Sequence, residues 1–138
     1  EKDWAIEKYF ELFRNDFFKD YTIIFTGISK DIPNREKFFK MIDDSSLNIF
    51  NLFDWGNLRH MIPIFNQCKF FIGSDSGLMH LAASTNCKTF ALFGPTNEIV
   101  YGPWGDHKII KSLDYPGIDD PLNLSVEKVL NAIKKEME

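Results

Sequence analysis

The chain has 138 residues, of which 44% are hydrophobic and 26% charged, and it carries a formal charge of -4. That length supports one globular core, burying roughly two-thirds of the unfolded surface, and not two. The lysines are scattered among acids, which excludes a binder of the nucleic-acid backbone, since that affinity needs clustered Lys and Arg.

In chain order, residues 4–18 set Trp4, Ile6, Tyr9, Phe10, Phe13 and Phe17 near a helical period, and "YTIIFTG" follows as a strand ended by glycine. Pro33, at a first helical position, opens a second helix over 33–43, and "LNIFNL" is a short second strand. Leu58, Met61, Ile62 and Phe65 mark a third helix, in which Pro63 predicts a kink or a regular part confined to one side. The strand "KFFIG", a helix from Ser76, the strand "KTFALFG" and a last short strand at "HKII" come next. Ser125 caps the closing helix "VEKVLNAIKKEM", with Glu127 in its first turn. No repeat, low-complexity tract or linker divides the chain, so residues 1–138 read as a single domain.

Strands alternating with helices predict α/β architecture: a Rossmann-like, doubly wound parallel sheet covered on both faces. Ligands of such sheets bind beyond the carboxyl ends of the strands. Three loops lie there: "TGISKD" from Thr26, "GSDSG" from Gly73 and "GPTNE" from Gly94. In the second, a strand breaks into small polar residues before a helix. Unpaired backbone N–H groups at such a helix start favour an anion, and glycine lets a ligand approach the backbone. The alternative is that Asp75 and Ser76 only cap the helix. Neither a G-x-x-x-x-G-K-[ST] loop nor a G-x-G-x-x-G fingerprint is present.

Cys68 and Cys87 stand apart in apolar contexts, so neither a disulfide framework nor a zinc site is expected, and a reducing cytoplasm suits them. No apolar run reaches the ~18 residues of a membrane span, and the N-terminus lacks a signal-peptide profile. Membrane contact is expected to be peripheral at most.

"GSDSGLMHLAAS" followed by "KTFALFGPTNEIVYGPWG" resembles the carboxyl-terminal domain of the bacterial heptosyltransferases, glycosyltransferase family nine, which act on ADP-heptose and lipopolysaccharide. The combined pattern D-[ST]-G-x-x-H, A-L-F-G-P-T and G-P-[WY]-G is more specific than any one piece. "EKDWAIEKYFELF" is similar to the family's K-x-W-P segment, "FTGISKD" to its glycine loop, and "LSVEKVLNAI" to its closing helix. The resemblance covers nearly the whole chain. It implies the donor-binding, carboxyl-terminal half of a two-domain GT-B fold, with the amino-terminal acceptor domain absent from this chain.

By motif position, the resemblance gives Ser76, Gly77 and Leu78 the role of donors to the diphosphate of a nucleotide-sugar, and Lys2 that of neutralising its charge. Asp75 is expected to accept from sugar hydroxyls or from the amides of its own loop. His80 would hydrogen-bond the donor, or else be satisfied within the packing; Asp31 would reach the ribose hydroxyls, or else be a solvated loop aspartate. Thr96 is an N-cap or a phosphate or sugar contact. Trp55 and Gly56 match the region bordering the base, although core packing is the commoner fate of Trp. Trp104 is expected to hold a turn. His60 and His107 have no partner at metal-ligand spacing, and no D-x-D pair is present.

The implied reaction is inverting transfer of heptose from ADP-heptose to a lipopolysaccharide-core acceptor, without a metal or other cofactor. The general base is expected on the absent domain, so this chain alone should bind donor without turnover. The expected location is the cytoplasm, with at most peripheral contact at the inner face of a bacterial inner membrane. Ala5, Ser74 and Leu78 depart from the family's usual Pro, Asn and Pro, which bears on the donor sugar. The chain opens with Glu where the family has just completed a central strand, so a truncated chain with exposed strand edges is expected. Two alternatives remain: another GT-B sugar-nucleotide enzyme of the 2-epimerase kind, and a non-catalytic nucleotide-binding module.

Overall fold

A computed structural model describes residues 4–32, 34–74, 77–93, 107–111 and 124–137. Among them the elements run α1 (Ile6–Phe13), β1 (Ile23–Gly27), α2 (Arg35–Asp44), β2 (Ile49–Phe53), α3 (Leu58–Gln67), β3 (Phe70–Ser74), α4 (Gly77–Ala83), β4 (Lys88–Phe93), β5 (His107–Lys111) and α5 (Val126–Met137). Every strand pairing is parallel, as the strand–helix alternation predicts. The strands are hydrogen-bonded as a pair, β1-β2, and a triplet, β3-β4-β5; no ladder joins β1 to β3 among the described residues.

Period-two alternation decides which helix covers which face. On β4, Phe90 and Leu92 enter a cluster with Leu12 and Phe13 of α1 and Val129 and Ile133 of α5, whereas Ala91 and Phe93 pack with Met79 of α4. β1 and β3 obey the same rule. Ile23 and Phe70 face the α1 and α5 side, while Phe71 meets α3 and α4, and Thr26 Oγ1 lies 3.7 Å from Met61 Sδ of α3. α2 joins the first layer through rings: Phe25 of β1 stacks on Phe10 at 5.5 Å and meets Phe38 edge-on at 5.2 Å. The result is a sheet layer with α1, α2 and α5 on one face and α3 and α4 on the other.

Three local outcomes refine the sequence reading. The first helix stops at Phe13, because Asn15 turns extended (ψ 143°) and its side chain accepts the Phe17 N–H at 3.0 Å, leaving Asp16–Phe18 as a 3-10 turn. α2 begins at Arg35 after Asn34, which is left-handed at φ 54°. α3 continues on both sides of Pro63, and a capping box starts it: Asn57 Oδ1 accepts from Arg59 and His60 N–H at 3.0 and 3.3 Å, while His60 Nδ1 accepts the Asn57 N–H at 3.1 Å. The closing helix matches its prediction, with Ser125 Oγ accepting the Lys128 N–H at 3.1 Å.

The segment before α5 is fastened to the start of the chain. Trp4 is buried, and its indole N–H donates to the Leu124 carbonyl at 2.9 Å, where Lys8 Nζ also donates at 2.7 Å. Among the described residues, no helix is long and apolar enough to cross a membrane.

Candidate functional site at the carboxyl edge of the strands

The strands' carboxyl ends carry the loop after β1, the turn after β2 and the first turn of α4. Gly27 brings these together. Its φ of +143° is a conformation that side chains rarely adopt, and a β-carbon there would lie 3.1 Å from Phe53 Cε1 of β2 and 4.0 Å from Leu78 Cδ1 of α4. A side chain at position 27 would therefore wedge between the end of β2 and the helix that follows β3.

The turn after β2 is held by polar contacts. Asp54 is left-handed at φ 61°, its N–H donates to the Gly27 carbonyl at 2.9 Å, and its Oδ1 accepts the Ser29 N–H at 2.9 Å. Ser29 Oγ donates to the other carboxylate oxygen in a short contact. The hydroxyl and amide of Ser29, with the charge of Arg35 at the start of α2, hold the Asp54 carboxyl below the usual carboxylate range. Trp55 follows, 49% exposed, its ring 5.8 Å from that of His60 and tilted 56° to it. Gly56 completes the turn at φ 62°, where a β-carbon would meet His60 Nδ1. Since Nδ1 accepts the Asn57 N–H, the neutral His60 carries its proton on Nε2.

On α4, Gly77 is exposed, Leu78 half-buried against the α3–α4 cluster and His80 half-buried. The four described glycines, all at or near this edge, differ in why they are glycine. Gly27 and Gly56 have positive φ, and a β-carbon at Gly73 would lie 2.6 Å from Phe71 Cε1. At Gly77 a β-carbon would meet nothing within 4 Å among the described atoms, and its backbone is helical.

Of the residues singled out in the sequence, Trp55, Gly56, Gly77, Leu78 and His80 thus stand at or near one edge. The backbone of Asp31 closes the 3-10 turn Ser29–Asp31 in the loop after β1, and its side chain lies outside the described residues. Lys2, Asp75, Ser76, Thr96 and Trp104 also lie outside them. Trp55 is not absorbed into the core. His60 serves as a helix cap, and His107 opens β5. Ser29 and Asp54 were not legible as site residues, because their pairing spans 25 positions; the Asp-x-Gly turn at 54–56 was the one available signal.

Among the described residues, no three His, Cys, Asp or Glu side chains gather so that they could hold a metal ion. The two cysteines do share a cluster under α3 and α4. Burial and the neighbouring Cys68 push the Cys87 thiol up to about 12, and burial raises Cys68 as well.

Comparison with known proteins adds a family to this geometry. Residues 1–125 match the model of glycosyltransferase family 9 (heptosyltransferase). Lipooligosaccharide heptosyltransferase 2 of Haemophilus influenzae is 29% identical over 110 residues, covering 79% of this chain and 32% of its own length. Lipopolysaccharide heptosyltransferase 2 of Escherichia coli K12 is 28% identical over 97 residues, covering 70% of this chain and 28% of its own. This chain therefore spans about a third of the length of these curated relatives. Among solved structures, a family 9 glycosyl transferase from Veillonella parvula superposes with a TM-score of 0.78 at 23% identity, over 96% of this chain and 41% of that one. An Escherichia coli heptosyltransferase with ADP superposes with a TM-score of 0.73 at 20% identity, over 96% and 39%.

Proposed function

This chain belongs to glycosyltransferase family 9, the heptosyltransferases, and we propose that it forms the donor-binding half of such an enzyme, one that transfers heptose from ADP-heptose to a lipopolysaccharide-core acceptor with inversion and without a metal. The observation that carries the reading is Gly77. It opens α4 at the carboxyl edge of the strands, exposed, with neither backbone conformation nor neighbouring atoms requiring glycine among the described residues. Open space at a helix start, where the backbone dipole is positive, suits a phosphate oxygen approaching the backbone. One relative of the same fold was solved with ADP, and the same nucleotide is assigned to this site.

In the proposed complex the diphosphate lies against Ser76, Gly77 and Leu78, with Lys2 balancing its charge. Asp75 and His80 bond the sugar or their own loop, Thr96 lies within reach of phosphate or sugar, and Asp31 takes the ribose hydroxyls. Trp55 and Gly56 border the base. In the transfer step the acceptor oxygen bonds to the anomeric carbon as that carbon's bond to the diphosphate oxygen breaks from the opposite side. The acceptor's proton passes to a general base supplied by another part of the enzyme. What this chain contributes is stabilisation of the departing diphosphate by N–H groups already aimed at it.

Titration calorimetry with ADP, UDP and GDP tests the reading, repeated with Asp75→Ala and Ser76→Phe. Selective ADP binding, weakened by Ser76→Phe, is the expected result. A folded chain that binds none of the three overturns the proposed function.

A further inference from the structure

We propose that Asp54 is a positioning residue for the donor's base: by gripping Ser29 and Gly27 it holds the loop after β1 and the turn after β2 at one separation and so fixes Trp55 beside the nucleotide. The inference rests on the donor-binding reading above, and it adds a residue that makes no contact with the donor itself.

The argument starts from backbone conformation. Asp54 and Asn34 are the two non-glycine residues with positive φ among those described, at 61° and 54°. A left-handed aspartate is uncommon and is retained where surrounding contacts over-determine it. Here three hydrogen bonds do so, joining the turn after β2 to the end of β1 and the loop after it: Asp54 N–H to the Gly27 carbonyl, and, both exposed, Ser29 N–H to Oδ1 and Ser29 O–H to Oδ2. Exposed bonds of this kind compete with water and contribute little to global folding. Their effect is local, since they tie two loops that the β1-β2 ladder ends just short of joining.

What the tie carries is apolar and exposed. Ile28, immediately before Ser29, is 55% exposed, and Trp55, immediately after Asp54, is 49% exposed. The Trp55 N–H donates to the Leu52 carbonyl at 3.2 Å, so the backbone beneath the ring is fixed by the same turn. Gly27, the other end of the tie, stands 4.0 Å by its β-carbon position from Leu78 of α4. A tryptophan aimed by this turn therefore lies on the edge where the α4 start receives the diphosphate, as a planar, amphipathic surface for a base. The carboxylate that makes the tie is held ionised by Ser29 and by Arg35 of α2.

The test uses the full chain with Asp54→Ala, Asp54→Gly and Asp54→Asn, each checked for an unchanged fold by its thermal transition, and titrated with ADP and with inorganic pyrophosphate. Glycine keeps the left-handed backbone and removes the carboxylate; asparagine keeps that backbone and one acceptor oxygen. Asp54→Ala and Asp54→Gly are expected to weaken ADP about tenfold, the loss of a charge-assisted contact's worth of positioning, and to leave pyrophosphate unchanged. Asp54→Asn should recover most of the ADP affinity. Unchanged ADP affinity in Asp54→Gly, or equal losses for ADP and pyrophosphate, overturns the positioning role while the donor reading stands. If the parent chain binds neither probe, the donor reading falls and this inference falls with it.

Discussion

Replacing Gly77 with alanine separates folding from ligand binding at a single methyl group. Glycine in a helix is less favourable than alanine by up to ~1 kcal/mol, and the gain is smaller at the first helical position. Where the native backbone suits alanine, the substitution stabilises by about 0.4–1 kcal/mol through the unfolded chain's lost freedom. Gly77 is helical, and its missing β-carbon would meet nothing within 4 Å among the described atoms. Gly77→Ala should therefore raise the midpoint of thermal unfolding by about 2–4 °C for a chain of this size. In the proposed complex the same methyl would stand between the helix's first N–H groups and a phosphate oxygen. Losing one or two charge-assisted bonds, each worth about 1.5–3 kcal/mol, weakens ADP about 10- to 100-fold or more.

Circular dichroism melts and calorimetric titration of the same preparation measure both effects. Gly73→Ala is the contrast, because its β-carbon would lie 2.6 Å from Phe71 Cε1 and must displace a half-buried ring. It should lose about 1–3 kcal/mol of stability by overpacking. The reasoning at Gly77 is refuted if the midpoint rises while ADP affinity stays within about twofold. A falling midpoint refutes the open space itself.

Trp4→Phe should cost about 2 kcal/mol in denaturant unfolding with an unaltered m-value, since it removes the bond to Leu124 and some buried surface, yet leaves that carbonyl its second donor, Lys8. An unchanged midpoint concentration would mean that the tie between the chain's start and α5 contributes nothing. Cys87, fully buried with its thiol raised to about 12, should resist alkylation at pH 8 until denaturant is added. Labelling at the rate of a free thiol in the native chain would show that the cluster under α3 and α4 opens.

The strands were legible because burial on both faces leaves a continuous apolar run, as in "KTFALF", where alternate residues serve opposite layers. The end of α1 was not legible. Phe17 and Phe18 continue the apolar pattern past Arg14, and only the competition of the Asn15 side chain for a backbone N–H breaks the helix. Pro33 drew the start of α2 toward itself, whereas the helix opens after the left-handed Asn34. At the site, sequence identified glycines but not their reasons: Gly73 yields to a ring, Gly27 to backbone conformation, and Gly77 to neither among the described residues. Asp54 and Ser29 escaped because a contact across 25 positions has no periodic signature.

These differences share a physical cause that also shapes the molecule's use. The core is built from ring contacts among α1, α2 and β1, from those of Phe18 in the 3-10 turn with Phe13 of α1 and Phe70 of β3, and from the α5 cluster. The carboxyl edge is instead assembled from exposed hydrogen bonds and glycine turns. Large apolar burial is what periodicity reports, and it dominates stability. Exposed polar ties weigh little in that sum, so substitutions at Asp54 or Gly77 can alter what the edge binds at small cost to the fold, whereas those at Trp4 or Phe10 act on the fold first. If the edge holds the donor as proposed, its specificity can change there without rebuilding the layers beneath it.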